Sequence, residues 1–315
     1  MSIANPFLEN TNLSEEDQKL RKHASYASVA LASSLIIIKF FAYLLTDSVS
    51  LLSSLLDSTI DVMASIVTLI SIRHAIEPAD DKHRYGHGKV ESLSAVGQAI
   101  LILASGIFLF YAAIHRMVHP LPIQSTSLGI AVMVISILLT VVLVLYQKHV
   151  VKKTGSIAID ADSLHYKGDL LMNLGVIAAL ILTTLTQWPY FDPIFALLIT
   201  IILFFSASII FKKSFGVLMD KEIPLSQREK IFNIILKHPK VDHVHDLRTR
   251  TSGQALFIEF HLEMDGKMSL KKAHDVTEEI EFLLFNEFHN AEILIHQEPT
   301  GLDHEKLDDR LEDSP

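Results

Sequence analysis

The chain of 315 residues contains no cysteine, which excludes disulfide bonds and means that any bound metal ion must be held by nitrogen and oxygen atoms. The formal net charge of −9 leaves no basic stripe to neutralise phosphate groups and argues against nucleic-acid binding. Half of the residues are hydrophobic and the mean hydropathy is +0.35, which is high for a soluble protein of this size.

Six apolar stretches are each long enough to cross a lipid bilayer, which takes about 20 helical residues. They cover residues 24–46, 48–74, 92–114, 124–147, 157–187 and 192–216. Basic residues cluster at the ends that face one side of the membrane, and the other side offers only Arg116. The clustered residues are Lys19, Arg21, Lys22, Arg73, Lys82, Arg84, Lys89, Lys148, Lys152, Lys153, Lys212 and Lys213. The positive-inside rule therefore predicts that both termini are cytoplasmic.

One lysine, Lys39, lies inside the first stretch, towards its outer end. Lysine side chains near the end of a membrane helix commonly extend along it until the ammonium group reaches the interface. We therefore interpret Lys39 as a snorkelling residue.

Two aspartates in the second stretch need compensation, because an Asp at the centre of a membrane helix costs about 2.5–3.5 kcal/mol. Asp57 and Asp61 are four residues apart and therefore share one helix face. His165 and Asp169 in the fifth stretch repeat this spacing. Two such helices facing each other would supply four N/O ligands, the number that a tetrahedral divalent ion requires. The alternative is that an Asp is a hydrogen-bonding partner between helices.

From Asp220 onward the long apolar runs give way to mixed, charged sequence. The predicted elements are a helix at 226–238 with Ser226 as its N-cap, strands at 241–250 and 255–264 joined by a turn at 251–254, a helix at 269–288 and a strand at 291–298. This order predicts a small two-layer α/β domain. The chain then divides into a tail at 1–22, a membrane domain at 23–217, a metal-binding domain at 218–300 and a polar tail at 301–315.

Histidines and carboxylates recur outside the apolar stretches. His83 and His87 are four residues apart with Asp80 just upstream, although a solvated loop with turns at Gly86 and Gly88 explains this segment equally well. In the C-terminal region, alternation places His261 on the polar face of its strand, and His296 and Glu298 share one face of theirs. Each of these histidines, taken alone, is an ordinary surface residue.

Five segments together resemble the cation diffusion facilitator family, most closely its bacterial zinc and ferrous-iron efflux branch. They are "DSVSLLSSLLDSTIDVMAS", "EPADDKHRYGHGKVESL", "ADSLHYKGD", "HDLRTRTSG" and "IHQEP". The similarity covers about residues 20–300 in the family's order. It implies a homodimer in the bacterial inner membrane, with six transmembrane helices, a cytoplasmic ferredoxin-like α-β-β-α-β domain and exchange of metal ions for protons.

The resemblance also implies particular sites. It implies a transport site at Asp57, Asp61, His165 and Asp169 with a gate at Leu164, and a lesser loop site at Asp80, His83 and His87. It implies a dimer salt bridge between Lys89 and Asp220. It also implies a binuclear cytoplasmic site at His245, His261, His274, His296 and Glu298. Glu298 departs from the family, which usually has an aspartate there. Glutamate adds one methylene, so its carboxylate reaches about 1.5 Å further.

These features predict a proton-coupled efflux carrier rather than an enzyme. Zinc is the first choice of cargo, with cadmium and iron(II) next and cobalt or manganese open. No Walker loop or phosphorylatable Asp motif indicates ATP use. Two alternatives are a metal-gated channel, such as a magnesium channel, and a membrane metal sensor that does not transport. A magnesium pathway would favour oxygen ligands and retained water over an imidazole, and a sensor leaves the intramembrane residues unexplained.

Overall fold

The computed structural model describes residues 14–46, 49–119, 127–188 and 190–302. These residues form two compact units. The helical unit contains Glu15–Glu77 and Lys89–Phe215, and the C-terminal unit contains Pro78–Gly88 together with the chain from Gly216 onward. The connection Pro78–Gly88 therefore clusters with the C-terminal unit although it lies between two membrane helices in the sequence.

The first six elements are long helices that coincide with the six predicted apolar stretches. They are α1 (Glu15–Thr46), α2 (Val49–Ala75), α3 (Lys89–Val118), α4 (Ser127–Thr154), α5 (Ile157–Thr186) and α6 (Phe191–Leu218). Within the described residues, all of them except α2 are long and apolar enough to cross a membrane. The exception is the helix that carries Asp57 and Asp61.

A tight connection between α4 and α5 fixes where α5 begins. Gly155 adopts a left-handed φ of 63°, which glycine tolerates without strain, and its N–H donates to Val151 O at 2.8 Å. Ser156 then caps α5, because its Oγ accepts a hydrogen bond from Ile159 N at 3.3 Å. Only two residues separate the helices, so the rotation of α5 is tied to α4.

Buried polar contacts set the face that α5 presents to its neighbours. Asp162 Oδ2 accepts hydrogen bonds from Ser28 Oγ on α1 and Gln147 Nε2 on α4, both at 2.7 Å. Tyr166 Oη, one turn further along, shares a 2.8 Å hydrogen bond with Ser65 Oγ on α2. Polar groups among membrane helices must find partners within the protein, so these bonds hold α5 in one orientation against three helices.

The C-terminal unit is a three-stranded sheet covered by helices on one face. Its elements are α7 (Leu225–Leu236), β1 (His243–Ser252), β2 (Ala255–Met264), α8 (Leu270–Glu287) and β3 (Ala291–Pro299). The sheet order is β1-β2-β3, with β2 antiparallel to β1 and parallel to β3. Ile258, Phe260 and Leu262 face the helices and form a core with residues such as Ile231 and Ile280. The predicted α-β-β-α-β order is confirmed.

Two local predictions in this unit are wrong. Helix α7 begins at Leu225 with Pro224 as its N-cap residue, so Ser226 lies inside the helix. The pyrrolidine ring of Pro224 fixes its φ at −54°, which already suits a helix start. The β1–β2 turn is also shorter than predicted, because Thr251 and Ser252 still pair with β2. Gly253, with a left-handed φ of 63°, allows the remaining two-residue loop.

Truncating a core side chain of the C-terminal unit should make the unit unfold at a lower urea concentration. Ile258 is fully buried, and Ile258→Ala should lower the free energy of unfolding by about 2–5 kcal/mol, because a cavity replaces packed methyl groups. Urea titration of the segment 218–300, whose core lies wholly within it, measures this change. The matched control is Leu294→Ala on β3, which is 66% exposed and should cost less than about 0.5 kcal/mol. Equal losses in both variants would contradict the described core.

Candidate metal centres

Helices α2 and α5 bring three of the expected transport ligands together. Asp61, His165 and Asp169 each offer a ligand atom within 4.8 Å of the others. His165 Nε2 lies 2.8 Å from Asp61 Oδ1 and 3.9 Å from Asp169 Oδ2. These side chains line a cavity of about 670 Å³ inside the helical unit. One imidazole and two carboxylates are ligands that zinc and related divalent ions accept.

Asp57, the fourth expected ligand, lines the same cavity but does not join this three-residue cluster. It is exposed to the cavity one helical turn from Asp61. Its carboxylate is thus available at the site, and its participation in metal binding stays a prediction.

Leu164, the expected gate, is buried at 8% exposure next to His165. It packs in an apolar cluster with residues of α3 and α6 that includes Ala99 and Leu203. Leu164 also lines the cavity, so an apolar wall lies directly beside the polar ligands. Its gating role stays a prediction.

Lys39 does not snorkel, which corrects the interpretation from sequence. Its Nζ donates hydrogen bonds to Ser58 Oγ at 2.6 Å and to Ser54 O at 3.2 Å on α2, and its side chain lines the cavity. The polar face of α2 offers acceptors inside the bundle, so the ammonium group need not reach the interface. The sequence did contain a signal: Lys39 shares a helical stripe with Ala32, Leu35 and Ala42, and small residues mark helix contacts.

The loop residues form a compact set in the C-terminal unit. Asp80, His83 and His87 offer ligand atoms within 4.8 Å of one another. Asp80 Oδ1 lies 3.2 Å from His83 Nδ1, and His87 Nε2 lies 3.5 Å from Asp80 Oδ2. The backbone N–H of His83 donates to Asp80 and lowers the pKa of that carboxyl. The carboxylate therefore stays ionised, as a metal ligand must be, at lower pH than an isolated aspartate.

Packing against the β1–β2 hairpin holds this loop in place. The guanidinium of Arg250 lies 4.3 Å from the ring centroid of Tyr85 and 4.6 Å from that of Phe257. A Cβ added to Gly88 would lie 2.3 Å from Ser252 O, so only glycine permits this approach. The segment is therefore more than a solvated turn, and its anchored end lies next to His87.

A row of three histidines crosses the sheet of the C-terminal unit. Strand register places His245 beside His261 and His261 beside His296, and we call these residues the histidine row. The buried Glu298 carboxylate contacts all three. Its Oε1 lies 2.8 Å from His261 Nδ1 and 3.4 Å from His296 Nε2, and its Oε2 lies 3.2 Å from His245 Nε2. The two oxygens thus face different histidines, as a bridging ligand requires.

His274, another expected ligand of the cytoplasmic site, does not lie at the histidine row of its own chain. It lies on α8, is 61% exposed and has Glu278 Oε1 at 3.4 Å from its Nε2. Helix α8 packs on the core face of the sheet, whereas the row occupies the opposite face. A role for His274 at this site stays a prediction that needs a second chain.

Two carboxylates near the row were missed as candidate ligands. Glu263 Oε1 lies 3.3 Å from His245 Nε2, and Asp246 Oδ1 lies 3.7 Å from His245 Nδ1. Strand alternation could have identified Glu263, which is two residues beyond His261 on the same face. Asp246 lies at an irregularity in β1 and has a left-handed φ of 54°, and no sequence pattern indicates either feature.

The expected dimer salt bridge involves both units. Asp220 belongs to the C-terminal unit, has a φ of 52° and places Oδ1 3.7 Å from Arg250 Nη1. Lys89 is the first residue of α3 in the helical unit. Their pairing stays a prediction.

Family models and known proteins resemble this chain over most of its length. A model described as the cation efflux transmembrane domain matches residues 25–219, and one described as the cation efflux protein cytoplasmic domain matches residues 223–300. The cation-efflux pump FieF of Shewanella oneidensis is 43% identical over 282 residues, covering 90% of this chain and 95% of the relative. Protein p34 of Rickettsia rickettsii is 41% identical over 286 residues, covering 90% and 94%. The metal-bound C-terminal domain of the CzcD transporter from Thermotoga maritima is 32% identical, with a TM-score of 0.25, and the match covers 26% of this chain and 100% of that one.

The histidine row and Glu298 should bind two zinc ions per protomer. Calorimetric titration of the segment 218–300 measures the stoichiometry. His261→Ala should reduce it, because His261 lies beside both other histidines. The matched control is His243→Ala, since His243 is exposed on the same strand as His245 and should leave both ions bound. Binding of at most one weak ion by the unmutated segment would mean that the glutamate has disrupted the two-ion site.

Proposed function

The chain belongs to the cation diffusion facilitator, or cation efflux, family of metal-efflux transporters, and we propose that it exports zinc in exchange for protons. The observation that carries this proposal is the cluster of Asp61, His165 and Asp169 in a cavity lined by membrane helices. Such ionisable residues are costly among apolar helices and mark the pathways of ions.

Competition for the same atoms couples metal to protons. A metal ion binds carboxylate oxygens and an imidazole nitrogen only after they lose their protons. A site that opens to each side of the membrane in turn therefore carries metal one way and protons the other. This mechanism needs no covalent intermediate and no nucleotide.

The donor set supports zinc as the first choice of cargo. An imidazole with two or three carboxylates suits zinc and cadmium, and it also admits iron(II), cobalt and manganese. Magnesium prefers octahedral oxygen ligands and retains several waters. His165 at the centre of the cluster therefore favours a transition-metal carrier over a magnesium pathway.

The C-terminal unit supports a regulatory role in a homodimer. The model that matches residues 223–300 is that of a dimerisation domain in this family. With both termini in the cytoplasm of a bacterial cell, the histidine row samples the metal concentration that the carrier lowers. Zinc at this row would then arrange the two C-terminal units and bias the helical unit towards transport.

Removing a ligand from the intramembrane cluster should abolish zinc uptake without unfolding the protein. Asp61→Ala and His165→Ala each leave an incomplete coordination shell, and each removes a polar group that is costly among apolar helices. Zinc uptake into proteoliposomes measures transport, and thermal unfolding of the purified variants measures folding. Thr59→Ala is the matched control, because Thr59 lies exposed on α2 and its hydroxyl donates to Leu55 O of the same helix. Uptake at the wild-type rate by either ligand variant would refute the assignment.

Zinc accumulation should depend on an opposing proton gradient. The gradient supplies the protons that displace zinc from the shared ligands. Collapsing it with an ionophore in the same vesicles should slow accumulation strongly, whereas dissipating only the membrane potential should have a smaller effect. A zinc flux that stays the same when the proton gradient is collapsed would favour the channel alternative.

A further inference from the structure

The ammonium group of Lys39 shares the transport cavity with the carboxylates. Lys39 reaches the cavity from α1, and Asp57, Asp61 and Asp169 reach it from α2 and α5. With His165 neutral and the other groups ionised, these four side chains carry a formal charge of −2. That charge equals, with opposite sign, the charge of one divalent metal ion.

We propose that Lys39 is the internal counter-cation of the transport cavity and matches its charge to a single divalent ion. This inference rests on the proposed transport function and assigns a positioning residue to the same site. Without Lys39 the three carboxylates would carry −3, and a bound divalent ion would leave one negative charge uncompensated among apolar helices.

The contacts of Lys39 suit this role because they leave the metal ligands available. Its ammonium donates to the hydroxyl of Ser58 and to the backbone carbonyl of Ser54, and both acceptors are uncharged. Ser58 is fully buried and lies on α2 between Asp57 and Asp61. These bonds hold the ammonium beside the carboxylates without occupying their oxygens.

The field of Lys39 reaches the ligands across the cavity. Its positive charge lines the same cavity as Asp57, Asp61 and Asp169, so it attracts all three carboxylates. At the same time, a fixed positive charge repels any cation that enters the site. Lys39 therefore stabilises the empty cavity and weakens metal binding, and a carrier needs both effects because it must release its cargo.

A variant that lacks this charge should bind zinc more tightly and release it more slowly. In proteoliposomes, Lys39→Gln should lower both KM and kcat for zinc, each on the order of tenfold for a charge several ångströms away. Lys39→Arg keeps the charge and should restore both constants towards the wild-type values. The matched control is Lys19→Gln on the same helix, which removes an exposed cation that pairs with Glu15.

Two kinetic outcomes would overturn the proposal. One is a Lys39→Gln variant with KM and kcat within twofold of wild type. The other is a Lys39→Arg variant that changes as much as Lys39→Gln, because shape rather than charge would then matter. Wild-type protein that takes up no zinc would instead refute the transport function itself, and the role of Lys39 would still be tested by the following binding measurement.

Thermal unfolding of the purified full chain gives that second measurement. Zinc should raise the unfolding temperature of Lys39→Gln by more than it raises that of wild type, since the ion replaces a missing positive charge. Lys39→Met is the second variant if Lys39→Gln cannot be isolated. Folding of either variant only in the presence of zinc supports the proposal. A rise equal to that of wild type, or failure of both variants to fold with and without zinc, overturns it.

Discussion

A carboxylate among apolar helices is stable only if a donor or a cation lies beside it, and the helical unit is organised by this constraint. Glu91 on α3 is buried with Arg21 of α1 and accepts from Ser156 Oγ at 3.1 Å. Asp162 is held by Ser28 and Gln147, and Asp61 by His165. Each acid therefore fixes the relative position of at least two helices.

Helix α5 combines a structural face and a functional face. Asp162 and Tyr166 are four residues apart and bind α1, α2 and α4, and His165 and Asp169 repeat that spacing on the adjacent stripe. His165 and Asp169 line the cavity, and Tyr166 contributes to both faces because it lines the cavity as well. A rotation of α5 that moved its ligands would also break the bonds of Asp162. Access to the cavity is thus more easily changed by moving several helices together than by turning α5 alone.

Periodicity predicts the elements well and the contacts between distant elements poorly. Six helices, the α-β-β-α-β order and the shared face of His296 and Glu298 follow from local sequence patterns. Those patterns repeat every three to four residues in helices and every two residues in strands. The direction of Lys39 and the packing of Gly88 against Ser252 depend on segments far apart in the chain. Asp57 shows an intermediate case, because helix spacing aligns it with Asp61 but does not determine its distance from α5.

The histidine row spans all three strands of the sheet at one level. His245 and His296 lie on the two edge strands and His261 on the central one, and Glu298 is one residue from the end of β3. An ion bound across this row would join both edges to the centre, much as a cross-link does. Fraying of the edge strand β3 would then require the ion to dissociate first. The rate of amide hydrogen exchange at the end of β3 would therefore fall as the free metal concentration rises, although no element of the fold changes.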